Sequence, residues 1–170
     1  MKRKHRSILA FVGILAIVCL IMASVLVYRA WEATRYPLAY DFAVKDIEGR
    51  TFRLADYRGK IVILDFMGVQ CIPCREQAVE LGKVYADYSD RVEILSISIQ
   101  GGEGMAEELR SFANSFHVGW RTAIDTEGLS IEYQVQIIPT TIIIDHNGYI
   151  RFIHQGLVEA PTIIHEINVI

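Results

Sequence analysis

Two cysteines separated by two residues, Cys71 and Cys74, are the residues of this chain best suited to chemistry. Such a pair can cycle between a dithiol and a disulfide, or it can supply two ligands to a metal ion. Structural zinc needs four ligands, and the sequence contains no second pair with matching spacing. The third cysteine, Cys19, lies in an apolar run, and the five histidines form no paired motif (His5, His117, His146, His154 and His165). Thiol-disulfide exchange is therefore the favoured chemistry, with half of a zinc site as the alternative.

A buried strand and a helix are predicted on either side of this pair. Residues 61–66 are almost continuously apolar, which is typical of a strand covered on both faces. After a turn that contains Gly68, apolar residues recur at spacings of three and four along a predicted helix of residues 72–88 (Ala78, Leu81, Tyr85 and Tyr88). The N-terminus of a helix favours a thiolate over a thiol, so we expect Cys71 to be the more acidic cysteine. Pro73 suits the first turn of that helix.

Strands and helices alternate along the rest of the chain. A hairpin is predicted within residues 41–53, followed by a polar connection over residues 54–60. The βαβ arrangement of residues 61–99 predicts a parallel pair of strands. Further elements are predicted at residues 105–117 (helix), 121–124 (strand), 127–133 (helical turn), 140–145 and 149–154 (hairpin) and 159–168 (helix).

These motifs together resemble the thioredoxin superfamily, in particular the membrane-tethered TlpA/ResA-like thiol-disulfide oxidoreductases. The resemblance covers about residues 37–156 and includes four motifs: residues 40–49, residues 54–60, the Cys-x-x-Cys strand and helix, and Ile138-Pro139-Thr140-Thr141 followed by residues 144–148. It implies an α/β thioredoxin-like fold, with a central mixed β-sheet flanked by helices and an N-terminal β-hairpin.

The resemblance also assigns site residues. It implies that Cys71 attacks a substrate disulfide, that Cys74 resolves the mixed disulfide, and that both form a redox-active disulfide. Pro139 is expected to be cis and to face the dithiol, although X-Pro bonds in general are mostly trans. Ile138 would pair its main chain with a substrate peptide, and the neighbouring Gln70 would lie at the same docking surface.

Asp65 is a carboxylate in the middle of an apolar strand, where burial should raise its pKa. Its place six residues before Cys71 matches a buried aspartate of thioredoxins, which implies a general base toward Cys74. The alternative is that Asp65 points outward or caps a turn. Three positions depart from the family pattern: Gln77 replaces a frequent glutamate, Gln70 replaces a tryptophan before the first cysteine, and Val79 replaces a proline of the helix.

Three other functions share this scaffold. A peroxiredoxin-like peroxidase needs Thr or Ser three residues before its reactive cysteine, where this chain has Gly68. A copper or other metal carrier uses three residues between its cysteines together with a distant histidine, for which His154 is available. A structural interaction domain would carry inert thiols with ordinary pKa values.

An apolar run without charge, residues 8–28, is long enough to cross a hydrocarbon core of about 30 Å. Basic residues precede it, so the N-terminus is expected in the cytoplasm (Lys2, Arg3, Lys4 and Arg6). The run is longer than the apolar region of a cleaved signal peptide, which favours a retained anchor. The predicted organisation is a basic stub (residues 1–7), a transmembrane anchor (8–28), a tether (29–36) and a thioredoxin-like domain (37–170).

Charge separates the two parts of the chain. Residues 1–35 carry a net charge of +5, and the remainder carries −8. An acidic domain beyond the anchor argues against nucleic-acid binding, which needs a cationic surface. The sequence thus predicts a single-pass protein with an extracytoplasmic domain that acts on protein thiols and disulfides. We expect no cofactor and no metal, and a separate electron donor or acceptor.

Overall fold

The computed structural model describes the backbone of residues 2–170 and the side chains of residues 12–31 and 35–170. Contacts divide the chain into two compact units, one ending at Pro37 and the other covering Leu38–Ile170. The basic side chains expected in the cytoplasm lie outside the described side chains (Lys2, Arg3, Lys4 and Arg6).

A single helix, α1 (Lys2–Arg35), makes up most of the first unit. Within it, Val12–Trp31 is long and apolar enough to cross a membrane, and its side chains are exposed. This helix is compatible with the predicted single-pass anchor. Because α1 continues through Arg35, the segment expected to be a tether is helical up to that residue.

The second unit contains two sheets. The hairpin of β1 (Ala43–Lys45) and β2 (Thr51–Arg53) forms the smaller one. The larger sheet consists of β3 (Ile61–Met67), β4 (Val92–Ser98), β5 (Arg121–Ile124), β6 (Thr140–Ile144) and β7 (Ile150–Gln155). Its strand order is β5-β4-β3-β6-β7, in which β3, β4 and β5 are parallel and β6 and β7 are antiparallel to their neighbours. The predicted mixed sheet, with its N-terminal hairpin, is therefore confirmed.

Four helices accompany the sheet: α2 (Ile72–Tyr88), α3 (Met105–Ser115), α4 (Leu129–Glu132) and α5 (Ala160–Asn168). Helix α2 connects β3 to the parallel strand β4, as the βαβ pattern predicts. Residues 54–57 form a 3-10 helix where a plain connection is expected. Two carboxylates hold this turn, because Asp41 accepts the Ala55 N–H and Asp56 accepts the Arg53 N–H.

The two faces of the central strand contribute to different parts of the core. Val62, Leu64 and Phe66 belong to a cluster with the hairpin residues, for example Phe52. Ile61 and Ile63, on the opposite face, pack in a cluster with residues of α2 and α5, and Met67 packs with Cys74 and Ala78. Since side chains alternate along a strand, Asp65 lies on this second face, the one that α2 covers.

Candidate active site

Cys71 and Cys74 lie where strand β3 gives way to helix α2. They form a disulfide with an Sγ–Sγ distance of 2.07 Å and a Cα–Cα distance of 5.2 Å. Cys71 is the N-cap residue of α2, and its Sγ accepts a hydrogen bond from the Cys74 N–H at 3.2 Å. Cys71 is partly exposed, whereas Cys74 is 1% exposed. The helix N-terminus therefore directs an N–H group at the sulfur that is more open to solvent, which favours its thiolate.

Ile138 and Pro139 adjoin this exposed sulfur. The peptide bond between them is cis, and the Ile138 carbonyl oxygen lies 3.8 Å from Cys71 Sγ. On the far side of the proline, its carbonyl oxygen accepts the Gly156 N–H at 2.8 Å, and the Thr140 hydroxyl donates to Ile137 O at 2.7 Å. The main chain of Ile138 is thus held next to the Cys71 sulfur.

Asp65 is buried in the sheet, so it neither points outward nor caps a turn. Its Oδ2 accepts a hydrogen bond from the Ser96 hydroxyl at 2.8 Å, and Ser96 Oγ accepts the indole N–H of Trp120 at 2.9 Å. Burial raises the pKa of Asp65 to about 7, and the hydrogen bond from Ser96 opposes that rise. A carboxyl with this pKa on the face covered by α2 can take up or release a proton near neutral pH.

Gln70 is exposed beside Cys71 and lines a cleft of about 450 Å³ together with residues of α3. The aromatic side chains of Phe112 and Phe116 and the guanidinium of Arg75 also line this cleft. A mixed apolar and polar surface is therefore available next to the exposed sulfur.

Gln77 has a structural partner that sequence reasoning missed. Its side chain is fully buried, its Nε2 donates to Val158 O at 3.1 Å, and its Oε1 accepts the Val158 N–H at 2.9 Å. One turn further along α2, Glu80 Oε2 accepts the Ala160 N–H at 2.9 Å. The helix that carries the cysteines is thus tied to the loop before α5. No local sequence signal indicates this pairing, because the partners are about 80 residues apart.

Among the residues that the structure describes, no three His, Cys, Asp or Glu side chains come together as a metal site. His154, the histidine considered for a metal carrier, has its Nε2 2.8 Å from Glu166 Oε2.

Comparison with protein families agrees with this geometry. The model of the AhpC/TSA family matches residues 37–153 of the chain. The thioredoxin-like protein YneN of Bacillus subtilis is 32% identical over 118 residues, which is 69% of this chain and 69% of YneN. The thiol-disulfide oxidoreductase ResA of Geobacillus thermodenitrificans is 32% identical over 161 residues, covering 92% of this chain and 91% of ResA.

Solved structures show the same fold. A candidate thiol:disulfide interchange protein DsbE from Chlorobium tepidum superposes with a TM-score of 0.70 at 25% identity, over 79% of this chain and 95% of that one. A thioredoxin-family thiol:disulfide interchange protein from the same organism gives a TM-score of 0.72 at 18% identity, over 79% and 96% of the two chains. With a close cysteine pair at the N-terminus of a helix on this thioredoxin-like fold, the chain belongs to the AhpC/TSA family and is a thiol-disulfide oxidoreductase.

Proposed function

We propose that this protein is a membrane-anchored enzyme that exchanges disulfides with protein substrates outside the cytoplasm. The observation that carries the proposal is the unequal setting of the two sulfurs. Cys71 is partly exposed at the N-cap of α2 and adjoins the Ile138 carbonyl, whereas Cys74 is buried behind it. An exposed, helix-stabilised thiolate suits attack on a substrate, and a buried neighbour suits the second step.

The proposed reaction has two balanced steps. In the first, the Cys71 thiolate attacks a substrate disulfide, so that a mixed disulfide forms and one substrate thiolate leaves. In the second, Cys74 gives its proton to Asp65, and the resulting thiolate attacks Cys71 Sγ. The Cys71–Cys74 disulfide forms, the second substrate thiolate leaves, and the enzyme has passed two electrons to the substrate. The reverse sequence oxidises a substrate dithiol.

Substrate docking is assigned to the surface around Cys71. We propose that an extended substrate segment pairs with the main chain of Ile138 next to Pro139, as in the addition of a strand to a sheet edge. Gln70 and the cleft beside it would contact residues that flank the substrate cysteine.

The setting in the cell is also part of the proposal. The apolar segment Val12–Trp31 supports a single-pass anchor, and the basic residues before it support a cytoplasmic N-terminus. Disulfides are common outside the cytoplasm, so an enzyme that reduces them there needs a separate electron donor. By resemblance to the TlpA/ResA-like proteins, the haem-attachment cysteines of cytochromes c are a candidate substrate.

Two features weigh against the rival functions. Gly68 stands where a peroxidase needs a hydroxyl, and a Cβ there would lie 2.8 Å from Gln100 Oε1 and 3.0 Å from Ile138 Cδ1, so the ends of both side chains would have to shift to admit Thr or Ser. The Cys-x-x-Cys spacing differs from that of the copper carriers, and His154 is engaged with Glu166.

Single cysteine variants test the assignment. Exchange with a protein disulfide should be abolished in the Cys71→Ser variant, because the attacking atom is lost. The Cys74→Ser variant should instead accumulate a mixed disulfide between Cys71 and the substrate, detectable as a mass increase that dithiothreitol reverses. Full exchange activity in the Cys71→Ser protein would contradict the proposal. A Cys19→Ser variant is the control and should exchange at the rate of the parent.

A further inference from the structure

A row of polar residues crosses the otherwise apolar sheet at the level of Asp65. Each of the five strands contributes one residue to this polar row, and neighbours in the row are directly paired in the strand register (Thr122, Ser96, Asp65, Thr141 and His154). Directly paired residues of neighbouring strands project their side chains to the same face. The row therefore lies on the face that α2 and α5 cover, with Asp65 in its centre.

On one side of Asp65 the row cannot carry a proton away. The Ser96 hydroxyl donates its proton to Asp65 Oδ2, and its oxygen accepts the indole N–H of Trp120. An indole N–H is a donor only and cannot accept a proton. Proton exchange between Asp65 and solvent through Ser96 is thus blocked at Trp120.

On the other side of Asp65, two buried oxygen atoms are free to form hydrogen bonds. Asp65 Oδ1 and Thr141 Oγ1 are both buried, and neither has a hydrogen-bond partner among the described residues. Thr141 is the direct cross-strand partner of Asp65, and such pairs have Cβ atoms about 4.5–5.5 Å apart. A hydroxyl both donates and accepts a hydrogen bond. Thr141 Oγ1 bonds neither Asp65 nor His154 here, so proton transfer through it needs a rotation of the Thr141 side chain or a bridging water.

His154 continues the row to the surface. It is the cross-strand partner of Thr141 on β7, the edge strand, and its side chain is 25% exposed. Its Nε2 lies 2.8 Å from Oε2 of Glu166, a buried residue of α5. An imidazole nitrogen can accept or donate a proton, and a carboxylate at one ring nitrogen fixes the orientation of the ring.

The helices packed on this face bring few other titratable groups. Helix α2 contributes Cys74 and the phenols of Tyr85 and Tyr88. At its boundary with α5 it also contributes Glu80, which accepts the Ala160 N–H and pairs with Lys83. Helix α5 contributes Glu166. Cys74 is the proton donor of the proposed reaction, so Asp65 lies between a group that releases a proton and a row that leads to solvent.

We propose that Thr141 and His154 relay protons between Asp65 and solvent. This inference rests on the proposed function, in which Asp65 takes one proton from Cys74 for each mixed disulfide resolved. Asp65 then passes that proton through the Thr141 hydroxyl to His154, and His154 releases it to solvent. The Asp65 carboxylate is restored, and no proton needs to leave past Cys71 while the substrate covers that surface.

Single-turnover kinetics of the full-length reduced protein in detergent at pH 6 test the relay. At that pH Asp65, with a pKa of about 7, begins protonated and must lose its proton through the row before it can accept the proton of Cys74. Acid quenching and mass spectrometry follow the mixed disulfide as it forms and as it resolves into the Cys71–Cys74 disulfide. In the Thr141→Val variant, formation should keep the parental rate and resolution should slow by about tenfold or more, because the hydroxyl link is lost. The Thr141→Ser variant should restore resolution. Thr122→Val, the same substitution on the blocked side of Asp65, should resolve at the parental rate.

The His154→Gln variant tests the solvent end of the row. Resolution should slow by a similar factor, and added imidazole should restore it by supplying a mobile proton carrier. The reduction potential should stay at the parental value in the Thr141→Val and His154→Gln proteins, since a relay changes the rate of proton transfer and not the equilibrium. A shifted potential would instead indicate a structural effect on the disulfide and would overturn the relay.

Parental resolution rates in either the Thr141→Val or the His154→Gln variant would also overturn it. Failure of the proposed function has a different signature, because parent protein that forms no mixed disulfide at all would show that the dithiol does not exchange.

Discussion

At the scale of single residues, the chemistry depends on the contrast between two sulfurs and on one carboxyl. Cys71 is partly exposed and receives an N–H from the first turn of α2, while Cys74 is buried. Asp65 lies on the same sheet face and keeps a proton up to about pH 7, because burial penalises its charged form. Each group is thereby suited to one step: attack, resolution or proton transfer.

The raised pKa of Asp65 has a cost in stability that depends on pH. Its pKa rises from 3.8 in the unfolded chain to about 7 in the folded protein, so the folded state binds the proton more tightly. Below about pH 4 Asp65 is protonated in both states, so its ionisation does not reduce the free energy of unfolding. Stability falls as the pH rises between the two pKa values, by on the order of 4 kcal/mol in total, and is constant above.

The Asp65→Asn variant should lose this dependence, because an amide does not ionise. We expect the free energy of unfolding of the variant, relative to that of the parent, to be higher at pH 8 than at pH 4 by on the order of 4 kcal/mol. Urea unfolding of oxidised residues 38–170 at a series of pH values measures the difference. Parallel pH profiles for parent and variant would mean that Asp65 is ionised in the folded protein throughout that range.

At the scale of elements, a single loop links the two halves of the active site. Gln77 of α2 pairs with both backbone groups of Val158, and Glu80 accepts the Ala160 N–H. Two residues earlier in the loop, the Gly156 N–H donates to Pro139 O. Residues 156–160 therefore contact both the helix that carries the cysteines and the proline that adjoins them, which fixes the distance between Cys71 and Ile138.

Removal of the Gln77 amide should destabilise the domain. In the Gln77→Leu variant the buried N–H and C=O of Val158 lose their partners, and each unsatisfied group costs about 1–3 kcal/mol. We expect a loss of about 2 kcal/mol or more in the free energy of unfolding, measured by urea denaturation. Gln136→Leu, at an exposed position, is the matched control and should change stability by less than about 0.5 kcal/mol. Equal stabilities of the two variants would show that the pairing of Gln77 with Val158 contributes nothing.

The sequence predicts most of the elements, since the local signals for them are strong. Apolar runs, helical spacing and the Cys-x-x-Cys pair predict β3 and α2 within one residue at each end. The resemblance correctly implied a cis bond before Pro139, which residue statistics alone do not favour. The pairing of Gln77 and the polar row were not predictable, because both depend on contacts between distant segments. Ser96, Thr141 and His154 become neighbours of one another only through strand register, which the composition of a single strand does not reveal.

At the scale of the whole molecule, two units with different surfaces are joined in one chain. Helix α1 exposes apolar side chains along Val12–Trp31, as a helix surrounded by lipid does. The unit Leu38–Ile170 buries its apolar residues in its own core and carries the acidic part of the sequence. This division is compatible with the proposed single-pass anchor.

The orientation of the chain can be measured by labelling in intact cells. In a Cys19→Ser background, reduction followed by a membrane-impermeant maleimide should label the partly exposed Cys71 without lysis, because the domain is expected outside the cytoplasm. A cytoplasmic thiol protein in the same cells serves as the lysis control. Labelling that requires lysis would contradict the proposed topology, and release of the full chain by alkaline carbonate would contradict a transmembrane anchor.

A redox titration of the Cys71–Cys74 pair in glutathione or dithiothreitol buffers tests thiol-disulfide exchange most directly. The fraction of oxidised protein is obtained from the mass shift on alkylation of the free thiols. We expect one two-electron transition, in which both thiols are lost together and the Cys71→Ser variant shows none. The reduction potential decides whether the enzyme reduces or oxidises its substrate, since couples at about −270 mV serve as reductants and those at about −120 mV as oxidants. Thiols that never pair, or a bound metal that blocks their alkylation, would contradict a thiol-disulfide oxidoreductase.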